Sequence, residues 1–169
     1  DYVNDILAYL PEADFKMLTS TGTLTEARNF PGKDSILSGP AGGVVGASRC
    51  MEKAGFNKMI GFDMGGTSTD VSRWDGEFEY RHSMELDDPE SDGRFLVSAP
   101  MLSIETVAAG GGSICWYDGQ MVKVGPRSAG ANPGPACYGS GGPLTLTDVN
   151  LLLGRISPDM FPIPIDTQE

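Results

Sequence analysis

Hydrophobic positions recur at helical spacing near both ends of the chain and at strand spacing through its middle. Tyr2, Val3, Ile6, Leu7 and Leu10 share one helical face and Pro11 stops the pattern, so a short amphipathic helix is expected at the start. Phe15–Leu18 reads as a short strand. The hydroxyl-rich stretch that follows, up to Pro31, has no clear period and reads as loop with at most one turn of helix. Ile36 and Leu37 lead into Ser38-Gly39-Pro40, and Pro40 suits the first turn of a helix from Ala41 to about Lys53, ended by Gly55. Met59–Phe62 is apolar enough for a buried strand, and Thr67–Val71 resumes with β-branched residues, so Asp63–Gly66 is predicted to be a tight strand-to-strand turn. Asp75-Gly76 signals a hairpin into a third strand over Glu77–Ser83, which makes Ile60–Ser83 an antiparallel meander of three strands. Met84–Arg94 is acidic and reads as a solvated loop rather than a metal site. Phe95–Val107 contains a further strand, and Ser113–Tyr117 and Gln120–Val124 flank a second hairpin turn at Asp118-Gly119. Gly125–Gly142 is predicted to be irregular. Thr147 is expected to cap a last helix bearing Val149, Leu152, Leu153 and Ile156, with Gly154 near its end and prolines breaking the tail.

This alternation of strands and helices predicts one α/β domain over residues 1–169, a length able to bury a real core. Its 23 glycines and 12 prolines exceed average usage, so turns and close backbone approaches should be plentiful. Gly42, Gly43 and Gly46 each cost roughly 1 kcal/mol of helix propensity, which packing against a sheet or a ligand would offset. Ser38–Gly43 also reads as a helix N-terminus beside an anion. Ten glycines crowd into Gly110–Gly142, a segment either ordered against a ligand or another domain, or mobile. A formal charge of −11 and a pI near 4.4 argue against nucleic acid and anionic membrane as partners. No run reaches a membrane span and no signal segment opens the chain, so a cytoplasmic protein is expected. Cys50, Cys115 and Cys137 match neither a disulfide framework nor a zinc site and read as reduced thiols, with Cys137 either packed or exposed. Starting at Asp1 without a methionine, the chain is expected to be a piece of something longer.

The chemistry is expected in Met59–Ser72, where an apolar run ends in an acid, a glycine pair and hydroxyls. Asp63–Asp70 reads D-x-G-G-T-x-T-D. Gly65, Gly66 and Thr67 would offer amides to phosphate oxygens, and the hydroxyls of Thr67 and Thr69 would add donors. Asp63 would order Mg²⁺ and its waters, and Asp70 would orient a water or hold the turn. The competing reading is a hairpin whose hydroxyls bond its own backbone. No G-x-x-x-x-G-K-[ST] loop is present, and Ala108–Ser113 leads into a hairpin rather than a helix, against P-loop and Rossmann sites. His82 stands among charged residues with no nucleophile elbow nearby, which argues against a catalytic base.

Five motifs in order resemble the hydantoinase A/oxoprolinase family, most closely its ATP-dependent 5-oxoprolinases: Ser38–Ala47, Gly61–Ser72, Thr106–Ser113, Val124–Gly139 and Pro143–Arg155. The match runs from Ser38 to about Phe161, and residues 1–33 are less distinctive. The resemblance implies an actin-like ATPase lobe of the ribonuclease-H-like kind, using ATP and Mg²⁺. It implies that Asp63 (also the metal ligand), Gly65, Gly66, Thr67 and Thr69 meet phosphates and Mg²⁺, and that Gly110, Gly111 and Gly112 approach the nucleotide or the cleft between lobes. Glu105 departs from the pattern, since many members carry His or Asn there. The implied activity is ATP-driven opening of the lactam of 5-oxoproline or a hydantoin. An ATP-dependent ketone carboxylase subunit and an actin-like nucleotide switch are the alternatives. With one copy of the D-x-G-G-T loop, the chain resembles part of a larger subunit whose other lobes or subunits are its partners. An oligomer is compatible with that, and the isolated chain is expected to be inactive.

Overall fold

In the computed structural model, residues 2–87 and 93–166 are described, and they divide into two compact units. The first comprises residues up to Gly61 together with Val71–Glu105, and the second Phe62–Asp70 together with the chain from Thr106 onward.

The first unit opens with helix α1, Tyr2–Tyr9, on the predicted face, none of whose residues is buried. Strands β1 (Lys16–Leu18) and β2 (Leu24–Glu26) then form a small antiparallel ribbon, followed by a 3₁₀ turn at Ala27–Asn29 and a second at Gly32–Ser35. The hydroxyl-rich stretch therefore holds a strand that its sequence does not announce. Thr19 shows why it orders: its hydroxyl lies 2.8 Å from that of Thr21 and 2.9 Å from that of Thr23, so the side chains supply the partners a longer ladder would. Helix α2 runs Ser38–Lys53, starting three residues earlier than predicted after Leu37, which sits at φ 55. Gly42 has its expected compensation, since a Cβ there would stand 2.6 Å from Leu18 Cδ2. Around Gly46 there is open space. Ala41 and Val44 of α2 pack with Leu102 and Ile104 into the core of this unit, with Val45 and Phe78 alongside. Gly55, at φ +85, ends the helix region as expected.

Strands β3 (Met59–Met64) and β4 (Thr69–Trp74) form on either side of a turn at residues 65–68, two residues later than the predicted Asp63–Gly66. The meander stops there. The third strand of that sheet is β7 (Ile104–Val107), in the order β3-β4-β7, while β5 (Tyr80–Asp87) pairs with β6 (Arg94–Leu102) instead of β4. Asp75-Gly76 does make its turn, with Gly76 at φ +94, yet the ladder across it ends at the single bridge Trp74↔Phe78. A turn signal sets where the chain reverses and not how far the pairing continues. β3 is an edge strand, and the expected burial of its apolar run does not occur: Ile60 is 78% and Phe62 70% exposed.

The acidic segment is likewise strand on both sides. Asp87 pairs with Arg94 across β5–β6, and Arg94 also holds Glu85 at 3.3 Å and Asp87 at 3.2 Å. Asp88, Glu90 and Asp92 lie outside the described residues.

The second unit carries the antiparallel hairpin β8 (Ser113–Tyr117) and β9 (Val122–Ser128), turning at Asp118-Gly119 as predicted. Asp118 Oδ1 accepts the amides of Gln120 and Met121, both at 2.8 Å, and Gly119 takes φ +98. β9 extends through Ser128, so regular structure reaches into the stretch predicted to have none. A 3₁₀ turn at Ala136–Tyr138 follows, then helix α3, Leu146–Leu152. Its cap is Thr145 in a capping box with Asp148, two residues before the predicted Thr147, because an acid three positions after Thr145 completes the reciprocal bonding. No helix among the described residues is long and apolar enough to cross a membrane.

Candidate functional site

Asp63 and Met64 end β3, Thr69 begins β4, and the four residues between them close through one turn bond, Gly65 N to Ser68 O at 2.9 Å. The amides of Gly66, Thr67 and Ser68 then have no acceptor among the described residues. Three consecutive N–H groups without acceptors, two of them on exposed residues, are donors that an anion could take up. A Cβ on Gly66 would meet nothing within 4 Å and its φ is not positive, so neither neighbours nor backbone call for glycine there. The side chains of Asp63 and Thr67 are exposed. No group of three or more metal-ligating side chains occurs among the described residues, which leaves Asp63 as a single carboxylate.

The other predicted residues stand behind this turn. Thr69 is 4% exposed and donates its hydroxyl to Ala109 O at 2.5 Å, which commits that group to the fold. Asp70 accepts the hydroxyl of Thr106 at 2.6 Å. Gly110, Gly111 and Gly112 lie against the first glycine loop. Gly111 N donates to Gly65 O at 2.9 Å and Gly112 N to Gly66 O at 2.7 Å, while Gly110 N donates to Ser113 Oγ at 2.9 Å. All three amides of the triplet thus have acceptors within the protein. A Cβ at Gly110 would stand 2.6 Å from Gly66 C and Thr67 N, so this close approach, and not a positive φ, is what requires glycine.

Behind the triplet, Thr147 donates both its amide (2.8 Å) and its hydroxyl (2.9 Å) to Gly111 O. Asp148 is 5% exposed and accepts from Ala136 N (3.2 Å), Cys137 N (2.8 Å), Thr145 N (2.7 Å) and Thr145 Oγ1 (2.8 Å). Burial works to raise its carboxyl, but the bonds from Cys137 and Thr145 outweigh burial and hold it below the ordinary carboxylate range. Cys137 is packed, not exposed, at 3% exposure, and burial, with Asp148 beside it, pushes its thiol up to about 12. Sequence reading singled out neither Ser113 nor Asp148. The T-x-x-D spacing Thr145–Asp148 was the available signal for the acid.

The family described as Hydantoinase/oxoprolinase matches residues 1–169. The chain belongs to this family. It is 52% identical over 146 residues to the 5-oxoprolinase PfmaA of Pestalotiopsis fici, covering 86% of the chain and 11% of that relative. Among solved structures, nucleotide-free acetone carboxylase, from work on ATP-dependent acetone carboxylation, superposes with TM-score 0.78 at 30% identity, over 98% of this chain and 24% of that one. ATP-dependent caprolactamase from Pseudomonas jessenii gives TM-score 0.74 at 33% identity, over 99% and 25%. The chain therefore spans about a tenth of the curated relative's length and about a quarter of the solved chains. Its antiparallel sheets and three helices share the α/β fold of both solved enzymes.

Proposed function

We propose that this chain is the phosphate-binding part of an ATP-dependent cyclic amidase that opens the lactam of 5-oxoproline or a related cyclic amide. The observation that carries the reading is the row of unpartnered amides at Gly66, Thr67 and Ser68 beside the exposed Asp63, in a chain 52% identical to a 5-oxoprolinase. These residues fit ATP and Mg²⁺. Backbone amides can hold polyphosphate in a protein of net charge −11, and Mg²⁺ is commonly held by one or two carboxylates plus phosphate oxygens and water. Asp63 is the metal-side residue, Gly65–Thr67 the phosphate-side residues, and the Thr67 hydroxyl a further donor. Thr69 and Asp70 hold β4 in place through Ala109 and Thr106. Gly110–Gly112 serve the nucleotide from behind the loop, since their amides are already bonded.

When bound, ATP would supply a phosphoryl group to the lactam's carbonyl oxygen, so that water can attack the ring carbon and the ring C–N bond can break with its nitrogen leaving as the amine, the phosphoryl group departing finally as inorganic phosphate. The residues of this chain position the phosphates, exclude their free rotation and offset charge. Lactam recognition falls to other parts of a larger polypeptide, in which this chain forms part of an actin-like ATPase lobe in the cytoplasm.

The second reading, an ATP-dependent ketone carboxylase subunit, is favoured by the TM-score of 0.78 to acetone carboxylase, yet the identity there is 30% against 52% to the 5-oxoprolinase. A nucleotide switch without lactam chemistry has no such support. The test assays the full-length protein for ATP cleavage with 5-oxoproline, with hydantoins, and with acetone plus bicarbonate. Stimulation by 5-oxoproline or a hydantoin is expected. Stimulation by acetone and bicarbonate alone would overturn the reading in favour of the second.

A further inference from the structure

Two rows of planar peptides connect the back of the candidate site to its front. In the first, Ser113 N donates to Gly110 O (3.0 Å), and the N–H of that same peptide, Gly111 N, donates to Gly65 O (2.9 Å). The peptide carrying Gly65 O ends in the unpartnered N–H of Gly66. In the second, Thr147 donates twice to Gly111 O, and the N–H of that peptide, Gly112 N, donates to Gly66 O (2.7 Å). The peptide carrying Gly66 O ends in the unpartnered N–H of Thr67. A trans peptide is planar and points its N–H opposite to its C=O, so holding the carbonyl edge fixes the direction of the amide edge. Hydrogen bonds in series also polarise one another in the same sense.

We propose that Thr147 is a positioning residue for phosphate binding, acting through the Gly111–Gly112 and Gly66–Thr67 peptides to aim the Thr67 amide. This rests on the phosphate-binding reading of the loop given above. Thr147 has no capping task that would explain its hydroxyl, because Thr145 and Asp148 cap α3. It sits on a helix held by the buried Asp148, and its hydroxyl reaches Gly111 across 36 residues of sequence. Both rows end on adjacent amides. The Ser113 row uses only backbone at its first step, whereas the Thr147 row can be weakened by one side-chain change without altering the loop itself.

The test uses the full-length protein with Thr147→Val and Thr147→Ser. Binding of ATP and of adenosine, which lacks phosphates, is measured for each, together with the thermal midpoint. Thr147→Val removes one of two donors to Gly111 O, and a neutral hydrogen bond of ordinary strength corresponds to roughly a three- to tenfold loss. The expected result is that loss for ATP, little change for adenosine, and near-normal ATP binding in Thr147→Ser. Equal weakening of ATP and adenosine would overturn the proposal, as would unchanged ATP binding in the valine variant or a serine variant as weak as valine. If valine unfolds the protein, Thr147→Ala, which removes the hydroxyl without adding a branch, takes its place with the same expectations. Asp63→Asn and Gly66→Ala run in parallel separate the two readings. If they too leave ATP binding unchanged, the loop is not the phosphate site; if they weaken it and Thr147→Val does not, only the positioning role fails.

Discussion

Replacing Gly110 by alanine tests the backbone interlock most directly. The new methyl carbon would stand 2.6 Å from Gly66 C, 2.6 Å from Thr67 N and 2.7 Å from Gly65 O. Favourable carbon contacts lie at about 3.5–4.0 Å, so the two loops must separate by roughly 1 Å. All three atoms are backbone, and none can swing aside. Separation lengthens the bonds Gly111 N to Gly65 O and Gly112 N to Gly66 O, now 2.9 and 2.7 Å, beyond the range of hydrogen bonding. Two bonds at about 1 kcal/mol each, plus about 1–2 kcal/mol of residual crowding, give a destabilisation of roughly 2–4 kcal/mol. Gly66→Ala is the control in the same loop. Nothing lies within 4 Å of its Cβ and its φ is not positive, so stability should stay within about 1 kcal/mol of wild type, while ATP binding is expected to fall because a side chain there adds bulk beside the Gly66 and Thr67 amides. Urea unfolding and nucleotide titration of the full-length protein read the two quantities separately. A stable Gly110→Ala protein would refute the interlock, and a Gly66→Ala protein that binds ATP normally would refute the cradle.

Further outcomes follow from single groups. Asp63→Asn is expected to abolish Mg²⁺-dependent ATP hydrolysis while circular dichroism and thermal midpoint stay at wild type; undiminished turnover moves the metal site elsewhere. Because Asp148 titrates below the ordinary carboxylate value when folded, its contribution to stability is present above about pH 4 and is lost as pH falls through the depressed value. Asp148→Asn should therefore flatten the acid limb of the stability curve, and an unchanged limb would assign that limb to other carboxylates. Cys137, buried with its thiol pushed up to about 12, should resist iodoacetamide at pH 8 in the folded protein while the exposed Cys50 reacts; prompt labelling of Cys137 would contradict its packing.

Local signals in the sequence located most elements, and long-range ones are where it fell short. The turn at Gly65-Gly66, the turns at Asp75-Gly76 and Asp118-Gly119, the hairpin at the second of these and α1 follow from periodicity and turn chemistry. The destination of β5 did not, because strand pairing beyond a turn depends on which partner offers a longer ladder, and the turn residues carry no record of it. β3 reads as buried because its run is apolar, yet Ile60 and Phe62 are exposed on an edge strand. Within the candidate site, the acid and the glycine pair were legible. The task of Gly110–Gly112 was not: a phosphate cradle and a backbone-to-backbone contact both demand glycine, and only hydrogen-bond partners distinguish them. Thr147 reads as a helix cap for a similar reason, since hydroxyls near a helix start have several uses and Thr145 stands two residues away.

The interlock of the two glycine loops also fixes an order of events during chain synthesis. Residues 65–68 leave the ribosome before the segment around Gly111 whose peptides orient them, and that segment is itself held from Thr147. Contacts between such distant segments carry the loop-closure cost that makes them late steps in folding. A nascent chain ending before α3 would hold the whole D-x-G-G-T-x-T-D motif without the Thr147 bonds to Gly111 O, so on the reading proposed above it would bind nucleotide more weakly than a chain in which α3 has docked.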